Sequence, residues 1–228
     1  MIKKLLLGAT LLFAIVSFSS VAQATSESIM EHVKKVEVSN SIISREQFQK
    51  ADQIASEKVQ GVKPSQTRSF FPGTSYVDDG LYQVRFKDAP FYLDVMGGQS
   101  VNGNGLHMWT HHYGAAAVFY IKNIGNGEFV LFETTGWKSV EIGGSNVFNG
   151  APVQIWDYQS IGIPTQRWRL EPVIDSWGIP DGSVKLVNIN SGKVLNAVDG
   201  KVIPYVRVNS WESLNISGQK FNLERLMP

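Results

Sequence analysis

The chain has 228 residues, 43% hydrophobic and 18% charged, which suits one large packed domain or one domain with an appendage. Lys and Arg number 21 against 20 Asp and Glu, and a net charge of +1 argues against a nucleic-acid binder that works by neutralising phosphates. The absence of cysteine excludes disulfides, thiol catalysis and metal sites built on cysteine ligands. Abundant glycine and aromatic residues favour an all-β fold.

The first 24 residues have the three parts of a secretory signal peptide. Lys3 and Lys4 form a charged start, residues 5–16 form an apolar run, and Ala22 and Ala24 frame a small-x-small cleavage pattern. The alternative is a retained N-terminal anchor, although the run is short for a span and no later segment offers about 20 apolar residues. We therefore expect a bacterial type of exported protein, periplasmic or secreted, without a membrane span.

Residues 25–75 differ in pattern from the rest and are predicted to form an N-terminal arm with a linker. Ser44 and Gln47 match a capping box at a helix start. The residues that then share one helical face are Phe48, Ala51, Ala55 and Val59. A second short helix is predicted over 31–38, and a linker rich in Pro, Ser and Thr over 61–73. The arm either packs on the main domain or stays mobile, or it docks a partner.

Residues 76–228 are predicted to form one β domain. Short strands with period-two alternation or apolar runs are predicted at Leu81–Phe86, Glu128–Phe132 and Val184–Ile189. Helical periodicity is hard to find after residue 80, and glycines and prolines punctuate the segment. Strands of this size and spacing favour a closed or nearly closed β architecture.

An internal repeat runs through this domain. The pairs Asp94/Glu141, Asn102/Asn149 and Trp109/Trp156 are each 47 residues apart. A third, weaker copy begins near residues 195–197, and each copy ends in an aromatic followed by strand residues. Those end aromatics are Phe119, Trp168 and Phe221. A unit of about fifty residues cannot bury its own apolar face, so we expect three copies to close around a pseudo-threefold axis as a barrel with a hairpin cap.

These residues resemble the ricin B-type lectin family, whose fold is the β-trefoil. The family's mark is a terminal Gln-x-Trp in each of three repeats. It is intact at Gln166–Trp168, drifts to Phe at Gln219–Phe221, and loses its Gln at Ala117–Phe119. The resemblance covers about two thirds of the chain and implies a three-repeat all-β trefoil that binds sugar, with galactose-type glycans among the expected ligands. The fold also hosts protease inhibitors and structural modules.

In that family a carboxylate accepts two sugar hydroxyls and an aromatic ring lies under the C–H face of the sugar. For the first repeat the resemblance assigns the carboxylate to Asp94, the loop brace to Asn102, the polar place to His107 and the ring to Trp109. Ala116 and Ala117 stand where the family has amides. The alternative is that Asp94 satisfies backbone N–H groups in a turn and the ring only packs on the hairpin.

For the second repeat the resemblance assigns a site to five residues: Glu141, Asn149, Gln154, Trp156 and Gln166. Glu in place of Asp keeps the charge and lengthens the side chain by one methylene. The third repeat has Asn196 in place of the carboxylate, and an aromatic only if Trp211 is reached by a shifted loop, so we expect that site to be inactive.

A metal site or cofactor is not expected, because His111 and His112 are adjacent on a strand and face opposite ways. His107 and His111 lack a marked third ligand. We therefore predict a non-catalytic glycan-binding protein. The trefoil subunits of bacterial cytolethal distending toxins resemble this chain in architecture, so a toxin or effector subunit is an expected partner, docked through the N-terminal arm. The alternatives are a protein-binding or protease-inhibitor trefoil, and an enzyme built on an unrecognised carboxylate pair.

Overall fold

The structure, a computed structural model, describes residues 43–60, 77–110, 114–159 and 163–226. The predicted signal peptide, the helix predicted over 31–38, the linker predicted over 61–73, and His111 and His112 lie outside the described residues. In the described ranges a helix with the length and apolar character of a membrane span is not found.

Helix α1 (Arg45–Lys58) begins where the sequence predicts. The Ser44 hydroxyl accepts a hydrogen bond from the Gln47 amide at 3.1 Å, and the Gln47 side chain accepts one from the Ser44 amide at 2.8 Å. This capping box satisfies two amides that the first helical turn leaves unpaired. Glu46 in the first turn and Lys58 in the last complement the helix dipole.

In the part of the chain that the structure describes, twelve strands follow the helix and form one antiparallel sheet. They are β1 (Gly80–Phe86), β2 (Phe91–Val95), β3 (Leu106–Thr110), β4 (Phe119–Gly125), β5 (Glu128–Glu133), β6 (Ser139–Ile142), β7 (Val153–Trp156), β8 (Trp168–Ile174), β9 (Pro180–Asn188), β10 (Val194–Ala197), β11 (Val208–Trp211) and β12 (Phe221–Arg225). Strands β1, β4, β5, β8, β9 and β12 pair in a closed ring, so they form a barrel without free edges. The remaining strands form three hairpins, and the predicted all-β trefoil is confirmed.

The three hairpins β2–β3, β6–β7 and β10–β11 join one another through the same backbone bonds in each copy. The middle residue of each second hairpin strand donates to one loop of the preceding copy and accepts from it. These residues are Met108, Ile155 and Ser210, and their amides donate to Val206, Asn104 and Ala151 at 2.8–2.9 Å. The hairpin cap therefore has the same pseudo-threefold symmetry as the barrel. In each copy the second hairpin strand lies beside a loop of the preceding copy.

The barrel core is built from equivalent layers. The three predicted end aromatics, Phe119, Trp168 and Phe221, are at most 1% exposed. Only Trp168 has a polar atom to satisfy, and its Nε1 donates to the Val140 carbonyl at 2.9 Å. Burying three aromatic rings at equivalent places accounts for the repeated apolar position at the end of each copy.

Helix α1 packs on the outer face of the first copy, and the copies differ there. Leu81 and Tyr120 face outward under the helix, where they pack with Ala51 and Ala55 in a second hydrophobic cluster. The Tyr120 hydroxyl donates to Asp52 of α1 at 2.5 Å. The register of β5 and β8 places Glu128 and Arg169 at the corresponding outward positions of the second copy. Both side chains are charged, so this face is suited to contact with water. The helical part of the arm therefore packs on the main domain, which is one of the arrangements that the sequence left open.

Candidate functional site

Strands β6 and β7 of the second copy carry a carboxylate, an amide and an indole on one face of the sheet. Their register pairs Glu141 with Gln154 and Ser139 with Trp156. Because strand side chains alternate with period two, Gln154 and Trp156 share the side to which Glu141 belongs. A cleft of about 290 Å³ opens there, lined by Glu141, Ile142, Gly144, Ser145, Gln154, Trp156, Gln159, Ile163 and Thr165.

Two amide side chains hold the Glu141 carboxylate. Gln154 Nε2 donates to Glu141 Oε1 and Gln166 Nε2 donates to Glu141 Oε2, each at 3.0 Å. Glu141 is only 6% exposed and Gln166 is fully buried. A carboxylate has about four acceptor positions, so two amide bonds fix its orientation and leave acceptor capacity toward the cleft.

Gln166, the Gln of the intact Gln-x-Trp, also fixes the wall of the cleft. Its Nε2 donates to the Asp157 carbonyl at 3.0 Å, and its Oε1 accepts from the Gln159 amide at 3.1 Å. A fully buried side chain does not touch a ligand in the cleft. Gln166 is therefore a positioning residue that ties the carboxylate to the loop after β7.

The ring of Trp156 is 38% exposed and lies at the rim of the cleft. A Cβ placed on Gly103, from the loop of the first copy, would lie 3.6 Å from Trp156 Cζ3, so a glycine is what leaves the indole uncovered on that side. A Cβ placed on Gly143 would come within 2.9 Å of Gln154 Cδ, so glycine also permits the amide to reach Glu141.

Thr165 is a cleft residue that the sequence prediction missed. It is 2% exposed and lines the cleft, and its Oγ1 has no hydrogen-bond partner within the described chain. Its oxygen is buried as the Gln166 amide is, so Thr165 shapes the wall of the cleft and does not present its hydroxyl to a ligand. Its position one residue before Gln166 was the available sequence signal. Ser145 and Gln159 were missed as well.

The first copy brings Asp94, His107 and Trp109 together but with different neighbours. His107 Nε2 lies 3.3 Å from Asp94 Oδ1, and the imidazole stacks on Trp109 with ring centroids 5.1 Å apart. Tyr205 of the third copy meets the Trp109 ring at 3.8 Å between centroids, nearly perpendicular. Ala117 stands where the second copy has Gln166.

The third copy has the same strand register as the other two, but Asn196 replaces the carboxylate. The register pairs Asn196 with Asn209 and Val194 with Trp211, so Trp211 occupies the aromatic place without the loop shift that the sequence comparison required. Gln219 Nε2 donates to Asn196 Oδ1 at 3.0 Å, and Asn196 Nδ2 donates to Asn209 Oδ1 at 2.8 Å. The three amides satisfy one another and carry no carboxylate.

The side chains of Asn102 and Asn149 form hydrogen bonds with the following copy. They do not contact the candidate site residues of their own copy. The Asn102 side chain accepts from the Asp157 amide at 3.0 Å and donates to the Asp157 carboxylate at 2.8 Å. Asn149 Oδ1 accepts from the Glu212 amide at 2.9 Å. Asn102 thus braces the loop of the second-copy cleft, and Asn149 braces the third copy. Their direct contact with a sugar stays an untested prediction.

Metal ligation has no support in this part of the molecule. The described residues contain no group of three or more His, Cys, Asp or Glu side chains able to hold a metal ion.

The closed barrel and its three hairpins form a β-trefoil. Residues 66–156 match the family model described as ricin-type beta-trefoil lectin domain-like, and the predicted resemblance is confirmed. No curated protein matches the chain significantly in sequence.

Solved β-trefoils superpose on about two thirds of the chain. The designed threefold-symmetric protein ThreeFoil is 24% identical with a TM-score of 0.58, over 65% of this chain and 100% of that one. An exo-beta-1,3-galactanase from Clostridium thermocellum is 19% identical at TM-score 0.57, and the match spans 66% of this chain but only 31% of that one. The Macrolepiota procera ricin B-like lectin, solved with lactose, is 12% identical at TM-score 0.52 over 66% and 99%. At these identities the likeness shows the fold.

Proposed function

We propose that the trefoil binds carbohydrate without catalysis, through the cleft of the second copy. The observation that carries the proposal is the Glu141 carboxylate, oriented by two amides beside the exposed ring of Trp156. A sugar presents adjacent hydroxyls at its edge and a patch of C–H groups on one face. The carboxylate accepts the hydroxyl hydrogens in strong charge-assisted bonds, and the indole covers the C–H patch.

The remaining polar groups of the cleft suit the same ligand. Ser145 and Gln159 also line the cleft, and their hydroxyl and amide groups can each donate to and accept from sugar hydroxyls. Galactose-type sugars are the expected class, since the resemblance implies them and a similar lectin was solved with lactose. We expect one site of this type to bind a single sugar weakly, so useful avidity requires several glycans or several chains.

Glycoside hydrolysis has less support than binding. The reaction usually requires two carboxyl groups on opposite sides of the scissile bond, about 5 to 9.5 Å apart. Among the described residues that line the cleft, Glu141 is the single acid. The galactanase likeness spans a third of that enzyme's chain and is a likeness of fold.

Export and a partner subunit are finer parts of the proposal. Export is supported by the predicted leader at residues 1–24. A role as the glycan-binding subunit of a toxin or effector is a prediction from the resemblance, with docking through the N-terminal arm. The apolar face of α1 already packs on the barrel, so docking would use the outer face of the helix or other parts of the arm. Co-purification with and without residues 25–75 tests this role, and a monomer in both cases argues against it.

A glycan array on the protein without residues 1–24 tests the sugar proposal. We expect binding by the unchanged chain and loss of at least tenfold in signal for Glu141→Gln, because a neutral amide does not replace the charge-assisted bonds. Glu212→Gln is the matched control, since it removes an exposed carboxylate from the third copy. Equal signals from all three proteins would contradict the proposal, and capture of a protein with no glycan signal would favour the protein-binding or inhibitor alternative.

A further inference from the structure

The hairpin between β8 and β9 is longer than the equivalent hairpin between β4 and β5. Strand pairing makes Phe119 equivalent to Trp168, and Phe129 equivalent to Val184. Phe119 and Phe129 are 10 residues apart, whereas Trp168 and Val184 are 16 apart. Six additional residues therefore extend the β8–β9 hairpin. We define residues 174–179 as the hairpin tip.

The hairpin tip exposes large apolar side chains. Trp177 is 84% exposed, Ile179 60% and Ile174 46%. Trp177 is the most exposed large apolar side chain in the part of the chain that the structure describes. The shorter β4–β5 hairpin has Gly-Asn-Gly at residues 125–127. A cluster of exposed apolar side chains on a surface that is otherwise polar indicates an interaction site.

The backbone of the hairpin tip forms its hydrogen bonds internally. Asp175 Oδ1 accepts from the amides of Trp177 and Ile179 at 2.8 and 2.9 Å. The Asp175 amide donates to the Ile179 carbonyl at 2.9 Å, and the Gly178 amide donates to the Asp175 carbonyl at 3.2 Å. Four backbone donors are therefore satisfied without water. Paired amides can leave water at little cost, which is what a lipid environment requires of a backbone.

The apolar area of the hairpin tip is small for a protein interface. A large aromatic side chain offers about 150 to 250 Å², so with two partly exposed isoleucines the tip offers roughly 300 to 400 Å². A stable interface buries about 800 Å² on each partner. The tip alone therefore falls short of what a dimer needs. A projecting indole instead suits the interface of a lipid bilayer, where Trp is enriched because its ring is apolar and its N–H is polar.

The charged groups of the hairpin do not favour an anionic surface. Residues 174–182 contain two aspartates and neither Lys nor Arg. Asp181 pairs with Lys87, and Asp175 accepts two amides of the tip. A zwitterionic headgroup layer is therefore the matching surface. Asp175 limits insertion to the depth of the headgroups, because a carboxylate is costly to bury.

We propose that the hairpin tip is a membrane-contact site, at which Trp177, Ile174 and Ile179 enter the headgroup region of a zwitterionic bilayer. Strand β8 leads from Trp168, two residues after Gln166 of the cleft, to Ile174. Six steps of about 3.3 Å place the tip roughly 20 Å along the strand from the cleft. The tip and the cleft can therefore be occupied together, and the inference does not depend on the proposed sugar binding.

Vesicles of phosphatidylcholine without any glycan test the proposal. The protein lacks residues 1–24, so that the apolar run of the predicted leader does not contribute. Trp177→Ser removes the indole, and Trp177→Phe keeps an aromatic ring. Phe148→Ser is the matched control, because Phe148 is 73% exposed in the loop between β6 and β7. Cosedimentation measures the partition coefficient, and urea unfolding confirms that the variants are folded.

We expect the unchanged chain to bind the vesicles. Trp177→Ser should lower the partition coefficient at least about fivefold and Trp177→Phe about twofold or less, because the bilayer interface favours aromatic rings. Phe148→Ser should bind as the unchanged chain does. Raising the salt concentration from about 0.05 to about 0.5 M should change binding less than about twofold, because apolar contact is not screened.

The absence of cysteine in the chain permits a second, local measurement. An environment-sensitive fluorophore is attached to Ser176→Cys in the hairpin tip or to Val147→Cys in the control loop, both at exposed positions. We expect vesicles to shift the emission of the first protein to the blue and to leave that of the second unchanged.

Equal vesicle binding by the unchanged chain and Trp177→Ser would overturn the inference, and so would a blue shift at residue 147 in place of 176. Absence of binding overturns it as well, and a dimer that dissociates in Trp177→Ser would then assign the tip to a second copy of the chain. Because the vesicles carry no glycan, failure of the sugar proposal on the array does not affect this test. Glycan binding that persists in Trp177→Ser, with vesicle binding lost, supports two separate sites.

Discussion

The second and first hairpins hold the same pair of functional groups at the same spacing, yet their surroundings differ. In the second, Glu141 is fixed by Gln154 and Gln166 beside an uncovered indole. In the first, Asp94 faces His107, Ala117 replaces the bracing amide, and a phenol from the third copy stands at the indole. The repeated backbone fixes where the groups lie, and a few neighbouring side chains decide whether they form a cleft.

Part of each cleft is supplied by another copy. The uncovered face of Trp156 depends on Gly103, and the loop behind Glu141 is braced by Asn102, both from the first copy. A copy that keeps its own residues can therefore lose its site through a change in the preceding copy. Each candidate site therefore has to be judged together with the loop of the copy that precedes it.

The largest expected effect is that of Gln166→Ala, which gives the second copy the residue of the first. It removes two bonds from Gln166 Nε2, one of them to the carboxylate, and hydrogen bonds to charged groups are worth about 1.5 to 3 kcal/mol. We expect sugar affinity to fall about 10- to 100-fold, since each 1.4 kcal/mol is a factor of about ten. Calorimetric titration measures the affinity, and urea unfolding measures the stability.

Gln219→Ala is the control for that change, because Gln219 makes the equivalent bonds in the third copy, to Asn196 and to the Glu212 carbonyl. It should lower the free energy of unfolding by a similar amount without changing sugar binding. Unchanged affinity in Gln166→Ala would show that the amide does not position the carboxylate.

A smaller effect is expected from Gly143→Ala. A Cβ at this position would lie 2.9 Å from Gln154 Cδ and Oε1, so the amide must move away from Glu141. Loss of one amide bond to a charged group predicts a fall in affinity of about tenfold. Gly105→Ala is the matched control, because its added Cβ would meet only the flexible Met96 sulfur, at 3.3 Å. Equal affinities in both variants would show that the bond from Gln154 is dispensable.

The fold was predictable because it is repeated. Asp94, Glu141 and their partners recur at fixed offsets, and Phe119, Trp168 and Phe221 are buried at equivalent places, so the repeat predicted a pseudo-threefold barrel and the family resemblance identified it as a β-trefoil. The capping box at Ser44 was predictable for a local reason, since its bonds join residues three apart. The packing of α1 on Leu81 and Tyr120 was left open, because it depends on an outward face that differs among the copies.

The site was predictable only within one hairpin. Glu141, Gln154 and Trp156 come together because strand register fixes them, and Gln166 follows from the repeat. Contacts between copies could not be predicted, because the spacing of residues within one copy does not show which side chains of another copy lie beside them. Tyr205 beside Trp109, and Asn102 beside Asp157, join residues whose separation along the chain carries no local signal.

Substitution of Asn102 and of Asn149 tests whether these contacts between copies support the site of the following copy. Asn102→Ala removes two bonds to Asp157, next to the second-copy cleft, and Asn149→Ala removes one to Glu212 in the third copy. At about 0.5 to 1.5 kcal/mol for each hydrogen bond, Asn102→Ala should lower the free energy of unfolding by about 1 to 3 kcal/mol and Asn149→Ala by about 0.5 to 1.5 kcal/mol.

Only Asn102→Ala should weaken sugar binding, by about two- to fivefold, a few tenths of a kcal/mol up to about one. Titration of both proteins with the same glycan measures this. A larger loss in Asn149→Ala would mean that the asparagine acts within its own copy, as the sequence resemblance implies.

The smallest effect concerns the outer face on which the copies differ. Burial raises the pKa of the Tyr120 hydroxyl well above its usual value near 10, and the hydrogen bond to Asp52 adds to the rise. A raised folded-state pKa means that the folded protein keeps a proton that the unfolded chain releases. Its contribution to stability is complete below about pH 10 and declines as the pH rises above that value.

Tyr120→Phe therefore has two expected consequences. At pH 8 it costs about 1 kcal/mol, the worth of an ordinary hydrogen bond. From pH 9 to pH 11 its urea midpoint should fall less steeply than that of the unchanged chain. Tyr205→Phe is the control, because that exposed hydroxyl faces no helix. Parallel slopes for Tyr120→Phe and the unchanged chain would mean that Tyr120 ionises as freely in the folded state as in the unfolded one, and that its hydrogen bond to Asp52 does not help to hold α1 on the first copy.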